Sequence, residues 1–252
     1  MENPSLPISK PRPIQSWWIF AVFTGCLIGL PGFGQSTGKM AASASTPPFS
    51  DILTASNSPE LADAINDASG GEIILLASGA YGALSISNRS MPTEVTIAAA
   101  LGAIPEFSSV RVTNSSNWRF SGLHVKPRFT SGADAKNAVW LVGTDITFES
   151  SVVNYAEDTV GWSANDWVNR TGNGIVSGGT RITIRQNQIR NVDHALASDA
   201  THSLIAHNTI DGFRGDACRS LGDHVVFEYN SGKNAVAVDD NHDDFFSILV
   251  KR

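Results

Sequence analysis

The chain has 252 residues, 42% of them hydrophobic and 17% charged, so it can bury a core of its own in one large domain or two small ones. Its formal net charge is −6, which makes nucleic acid and anionic membrane surfaces poor partners because like charges repel. Glycine is abundant at 22 residues, and β-branched residues and asparagine crowd the second half, a profile of short strands and many turns.

Residues 1–34 read as a signal peptide rather than as part of the fold. Lys10 and Arg12 supply a positive start, and Trp17 to Leu30 then runs free of charge. That run is shorter than the ~20 residues of a comfortable membrane span. Pro31 breaks it, and Gly32 and Gly34 place small residues where a signal peptidase inspects the chain; Ala42-Ser43-Ala44 is a second such place. A secreted, periplasmic or cell-surface location is expected, with membrane contact only through this segment if it stays uncleaved. Cleavage removes Cys26 and leaves Cys218 alone, so no intramolecular disulfide forms and Cys218 is expected as a small buried hydrophobe. What remains carries 16 basic and 23 acidic residues. An acidic protein that handles an acidic sugar polymer would need a bridging cation.

Residues 35–57, rich in Ser, Thr, Ala and Pro, read as a flexible linker. Ser58-Pro59-Glu60 then opens a short helix with the serine as its cap, Gly70-Gly71 ends it, and Glu72 to Leu76 follows as a strand.

The second half carries a repeat. Arg181 to Ile189, containing Asn187, is echoed twenty-one residues later around Asn208 and another twenty-two later around Asn230. Asn117 to Val125 and Asp145 to Val153 fit the same frame with other residues at the Asn position. Apolar residues alternate before each Asn and resume two after it, which predicts two strands joined by a bend at the Asn. A period of 21–22 residues fits one coil of a three-sided, right-handed parallel β-helix, with coils stacked at the strand spacing. Asn187, Asn208 and Asn230 then lie above one another and hydrogen-bond along the stack. A β-sandwich would need recurring two-residue hairpins, leucine-rich repeats a leucine pattern, and a left-handed β-helix a six-residue beat. None is present. The expected fold is all-β: a β-helix over residues 58–252 with a short N-terminal capping helix, as a monomer.

The segment from Ser58 to Tyr81, a capping helix, a glycine-bounded strand and a Gly-x-Tyr turn, resembles the opening of secreted β-helix carbohydrate enzymes of the alginate lyase and chondroitinase B type. The stretches Gly215 to Arg219 and Val238 to Asp244 resemble right-handed β-helix repeat proteins of the pectate-lyase-like superfamily. The resemblance covers roughly residues 58–244 and implies the fold and a polysaccharide partner. It does not fix the reaction, because that superfamily hosts lyases, hydrolases, epimerases and inert spikes. The Lys and Arg that act as base and acid in the lyase type have no match, since Lys233 is the sole basic residue of 220–250. Of the pectin-hydrolase pattern only Asp239-Asp240 is present. The apolar stub after Asp244 lacks a further coil and cap, so the chain reads as truncated.

In register, His194, Asp216 with Arg219, and the run Asp239 to Asp244 fall in the same part of consecutive coils and predict a groove. Lysis or epimerisation of a uronate sugar needs the carboxylate neutralised before the neighbouring carbon gives up its proton. Calcium held by Asp239, Asp240, Asp243 and Asp244 could do this. Arg219 could clamp the carboxylate, with Asp216 beside it, and His242 could shuttle the proton. The stretch 154–173 carries Tyr155, Trp162 and Trp167, expected with His194 as sugar contacts. Each feature has a plainer explanation. Asp and Asn suit solenoid turns, the tryptophans of 154–173 could pack their loop down, and Trp118 and Trp140 read as packing. The leading expectation is lyase or epimerase action on an acidic polysaccharide. The alternatives are a non-catalytic glycan-binding solenoid and an inactive remnant of such an enzyme.

Overall fold

The computed structural model describes residues 51–127, 137–238 and 244–248. The expected signal peptide, most of the expected linker, and Asp239, Asp240, His242 and Asp243 lie outside them. Among the described residues every strand pairing is parallel, and the strands wind into a coil of three flanks, the right-handed parallel β-helix the repeat predicts.

The first flank stacks β1 (Ile52–Ala55), β2 (Ile73–Leu76) and the ends of β4 (Ser90–Ala99), β5 (Pro105–Ser121), β7 (Asn137–Glu149) and β9 (Asn173–Arg185). It continues through β12 (Leu204–Ala206) and β15 (Val226–Glu228). The second flank runs from the starts of β3 (Gly79–Ser87) and β5 through β6 (His124–Val125) and β8 (Val152–Asn154). Below these lie β10 (Gln188–Val192), β13 (Thr209–Phe213) and β16 (Ser231–Ala235). The third flank uses the later part of β3, the middle of β5 and the starts of β7 and β9. It ends with β11 (Leu196–Ser198), β14 (Cys218–Ser220) and β17 (Phe246–Ile248).

Alternation supplies the core. On the first flank Ile74, Ile97, Phe120, Phe148, Ile184 and Ile205 occupy matched positions and are all buried. Val110, Val139, Ile175, Leu196 and Cys218 form the corresponding column of the third flank, so Cys218 does serve as a small core residue. Burial pushes its thiol pKa up to about 12, which removes it as a nucleophile near neutrality.

The three asparagines form the expected ladder. Asn187 Nδ2 donates to Asn208 Oδ1 at 3.0 Å, and Asn208 Nδ2 donates to Asn230 Oδ1 at 2.9 Å. The same oxygens accept the backbone N–H of Asn187 and of Asn208, each at 3.0 Å. Above them Asn187 Oδ1 accepts Ser151 N–H, and Ser151 Oγ accepts Leu123 N–H. The bend itself lies one residue earlier than expected, at Gln186, His207 and Tyr229, whose φ values are 58°, 56° and 53°. A left-handed residue swings the chain so that the next side chain enters the coil, where the amide can reach both neighbouring rungs. His202 and His224 take the same conformation at the corner before the first flank and stack face to face at 4.8 Å.

Coil length varies without loss of register. The rung-to-rung offset is 21 or 22 residues along the ladder, but 28 between Leu123 and Ser151 and 36 between Asn137 and Asn173. The extra residues leave at corners; the longest excursion carries α2 (Ala164–Arg170).

At the N-terminal end α1 (Ser58–Asp67) covers the core with Leu61, Ala64 and Ile65. Its cap is Asn57, not Ser58: Asn57 Oδ1 accepts Glu60 N–H at 3.0 Å, while Ser58 Oγ donates to Tyr81 O at 2.7 Å. The helix therefore begins one residue early, with Pro59 in its first turn, where no N–H partner is needed. Residues 52–55, expected as linker, form the first rung instead. No helix among the described residues is long and apolar enough to cross a membrane.

Glu72 closes the turn after α1 from a buried position. Burial alone would raise its pKa, but hydrogen bonds from Ser69 N–H, Ser69 Oγ and Gly70 N–H outweigh it and hold the carboxyl at about 2. A folded-state pKa below the unfolded value gives stability that is present above about pH 4.5 and lost as pH falls towards 2. Glu72→Gln is expected to be less stable at neutral pH and to unfold with a flatter acid dependence over that window, read from denaturant midpoints at each pH. An unchanged acid slope in the variant would remove Glu72 as its source.

Candidate active site

The third flank begins at a corner where Asn137, Asn173, His194, Asp216 and Asp244 lie in vertical register. Gly174 N–H donates to His194 O, Ala195 N–H to Asp216 O and Ala217 N–H to Asp244 O, at 2.8, 3.0 and 2.9 Å. Asn173 Nδ2 donates to Asn137 Oδ1 at 2.8 Å. His194, Asp216 and Asp244 therefore share this corner on consecutive rungs, the register the repeat predicts. His242, Asp239, Asp240 and Asp243 lie outside the described residues.

His194 Nδ1 accepts Asp216 N–H at 2.8 Å, so a neutral ring carries its proton on Nε2 and presents a donor there. Gly215 permits this approach, because a Cβ at that position would stand 2.6 Å from His194 Nδ1. Asp216 is 4% exposed; its Oδ2 lies 3.7 Å from His194 Nδ1 and 3.9 Å from Arg219 Nε. The sequence brings these three together by simple means: Asp216 and Arg219 flank the start of β14, and His194 sits one coil above.

Arg219 stands apart in its commitments. Arg119 bonds Glu94 and Glu149, Arg181 grips Asp145, Arg185 holds Glu149 and Arg214 pairs with Asp193. Arg219 makes no hydrogen bond to the described residues; its buried Nε has only the longer ion-pair contact with Asp216 Oδ2 at 3.9 Å. Its side chain is 32% exposed, so the guanidinium edge faces outward from the flank above a buried carboxylate.

The aromatics of residues 154–173 turn inward. Tyr155 packs against the core and its hydroxyl donates to Asn173 O at 3.2 Å; burial pushes its pKa up. Trp167 is 5% exposed and meets Trp162 edge-on at 5.4 Å. Trp162 is half-buried beneath the Arg170 guanidinium, 5.5 Å from the ring centre. These side chains seat the long excursion on the solenoid, as does Arg214 Nε donating to Thr171 Oγ1 at 3.3 Å. An excursion of this length needs apolar anchors, and Tyr155 and Trp167 are spent on that rather than left as a sugar platform. Of the proposed calcium ligands only Asp244 is described, exposed at the corner; among the described residues no three His, Cys, Asp or Glu side chains are placed to hold a metal.

Register also exposes residues that sequence reasoning missed. Arg111, Trp140, Val176, Ala197 and Arg219 occupy one outward column of the third flank. Trp140, expected as packing, is half-buried there with the Arg111 guanidinium 5.7 Å from its ring centre. The unequal coils hide this column from any fixed-period reading.

No protein-family model matches the chain, and no curated protein matches it. Among solved structures it is similar to an alginate lyase from Paenibacillus sp. str. FPU-7, at 12% identity and a TM-score of 0.33, over 80% of this chain and 99% of that one.

Proposed function

We propose that the protein binds an acidic polysaccharide against its third flank and acts on it as a lyase or epimerase of uronate units. One observation carries the reading: Arg219 is held within ion-pair range of buried Asp216, which also lies beside His194, and its guanidinium makes no hydrogen bond to the described residues. Such a group takes a sugar carboxylate in a two-pronged contact and draws charge from it, which acidifies the adjacent carbon–hydrogen bond. Asp216 positions Arg219, and the Nε2–H of His194 offers a contact to a sugar oxygen. His242, in the adjoining segment, removes the proton. In a lyase that proton passes to the departing glycosidic oxygen as the carbon–carbon double bond forms; in an epimerase the carbon regains a proton on its other face. The Asp239 to Asp244 run would hold calcium through its carboxylate oxygens, and the ion would add to the neutralisation of the sugar carboxylate.

A second reading, binding without chemistry, is favoured by the engagement of His194 Nδ1 with Asp216 N–H, which makes that ring a donor and not a base. Both readings imply export of the chain. The test is release of unsaturated sugar ends from alginate, pectate and chondroitin, with and without a calcium chelator, beside direct titration of the same polymers. Product release from one of them, lost on chelation, is the expected result. Binding without product on all three leaves the second reading, and neither binding nor product overturns both.

A further inference from the structure

We propose that Arg111 and Trp140 form a second anionic-sugar subsite on the third flank, so that the polymer lies lengthwise along the solenoid and not across one coil. The inference rests on the reading of Arg219 as a carboxylate clamp and extends it to substrate length. Arg111 and Arg219 stand in the same outward column, four rungs apart through Trp140, Val176 and Ala197. At one strand spacing per rung that separation is about 19 Å. The two positions between Trp140 and Arg219 carry the short side chains Val176 and Ala197, and the neighbouring Gly178 adds none, so the column is low between its two cationic ends.

Arg111 shares the property that singles out Arg219. Like Arg219 it makes no hydrogen bond to the described residues, and unlike Arg219 it has no ion pair with them either; it is exposed, in contrast to the carboxylate-bound arginines of the first flank. Its guanidinium lies over the indole of Trp140, 5.7 Å from the ring centre. Contact with an aromatic face restrains the long side chain but leaves its N–H edges open, which lowers the entropic cost of gripping a carboxylate. A chain of uronate units, with a carboxylate on each, meets both arginines only if it follows the axis.

The experiment is calorimetric titration of the full chain with uronate oligomers of increasing length, against Arg111→Ala, Arg111→Glu and Arg219→Ala. Oligomers long enough to bridge about 19 Å should bind Arg111→Ala about tenfold more weakly than wild type and Arg111→Glu more weakly still. Oligomers too short to bridge should bind wild type and both variants alike. Arg219→Ala should weaken every length. Circular dichroism and unfolding curves matching wild type keep the exposed Arg111 variants interpretable. If long oligomers bind Arg111→Ala within twofold of wild type, or if its loss is the same at every length, the subsite is overturned while the clamp at Arg219 stands. If wild type binds no oligomer of any length, the clamp falls and the subsite with it.

Discussion

Asn208→Ala is expected to lower the unfolding free energy by about 4 kcal/mol, close to the largest cost of a single polar substitution in a domain of this kind. Asn208 is buried in the middle of the ladder. Its Oδ1 accepts from both the backbone N–H and the Nδ2 of Asn187, and its Nδ2 donates to Ile184 O and Asn230 Oδ1. Alanine would leave Asn187 N–H buried without a partner, at a cost of about 1–3 kcal/mol, and would take one hydrogen bond each from Asn187 Nδ2, Ile184 O and Asn230 Oδ1, at about 1 kcal/mol apiece. Asn230→Ala removes the same side chain from the last of the three ladder positions, which is only half-buried so that water can replace what is lost, and about 1 kcal/mol is expected. Urea midpoints at unchanged slope measure both. Equal losses at the two positions would contradict a cooperative ladder. Asn208→Asp should be at least as damaging as alanine, because it brings a carboxylate against Ile184 O and Asn230 Oδ1.

The second large effect concerns Arg219. Arg219→Ala should reduce kcat/KM on the preferred polymer, or affinity if the protein only binds, by about 100-fold, the factor expected for a lost two-pronged charged contact. Arg219→Lys keeps a charge but not the planar fork, so it should recover about a tenth of the loss. The variant also strips buried Asp216 of a cation 3.9 Å away, so a moderate loss of stability accompanies the change. Stability and function separate the roles. If Arg219→Ala unfolds more easily yet turns over or binds normally, the arginine serves only the fold. Asp216→Asn, which keeps the backbone donor to His194, should lower affinity without abolishing it, as befits a positioning residue.

The ladder coils were legible in the sequence because their physics demands repetition. An amide that bonds up and down the stack must recur at a constant offset, and Asn187, Asn208 and Asn230 do so. Ser151 fills the same position one rung higher with a hydroxyl, so the frame of the upstream segments could be followed even where the residue changed. The shared corner position of His194, Asp216 and Asp244 followed from that frame. Elsewhere the signal was local and misleading. Ile52–Ala55 is a four-residue strand among serines and prolines, too short to announce an alternation. Asn57 and Ser58 are both good caps, and only the extended backbone of Asn57 decides between them. Tyr155 and Trp167 looked like a sugar platform because aromatic content says nothing about which way a loop folds. Arg111 and Trp140 align with Arg219 only after coils of different lengths are laid in register, which requires the strand pairings themselves.

Constant register across unequal coils has one more consequence. Each segment touches the turn before it and the turn after it and almost nothing else, so the molecule behaves as a one-dimensional array. Damage at a position is transmitted to its two neighbours along the axis and dies away with each turn. Melting should therefore pass from turn to turn along the axis as a moving front, and not spread through the whole solenoid at once.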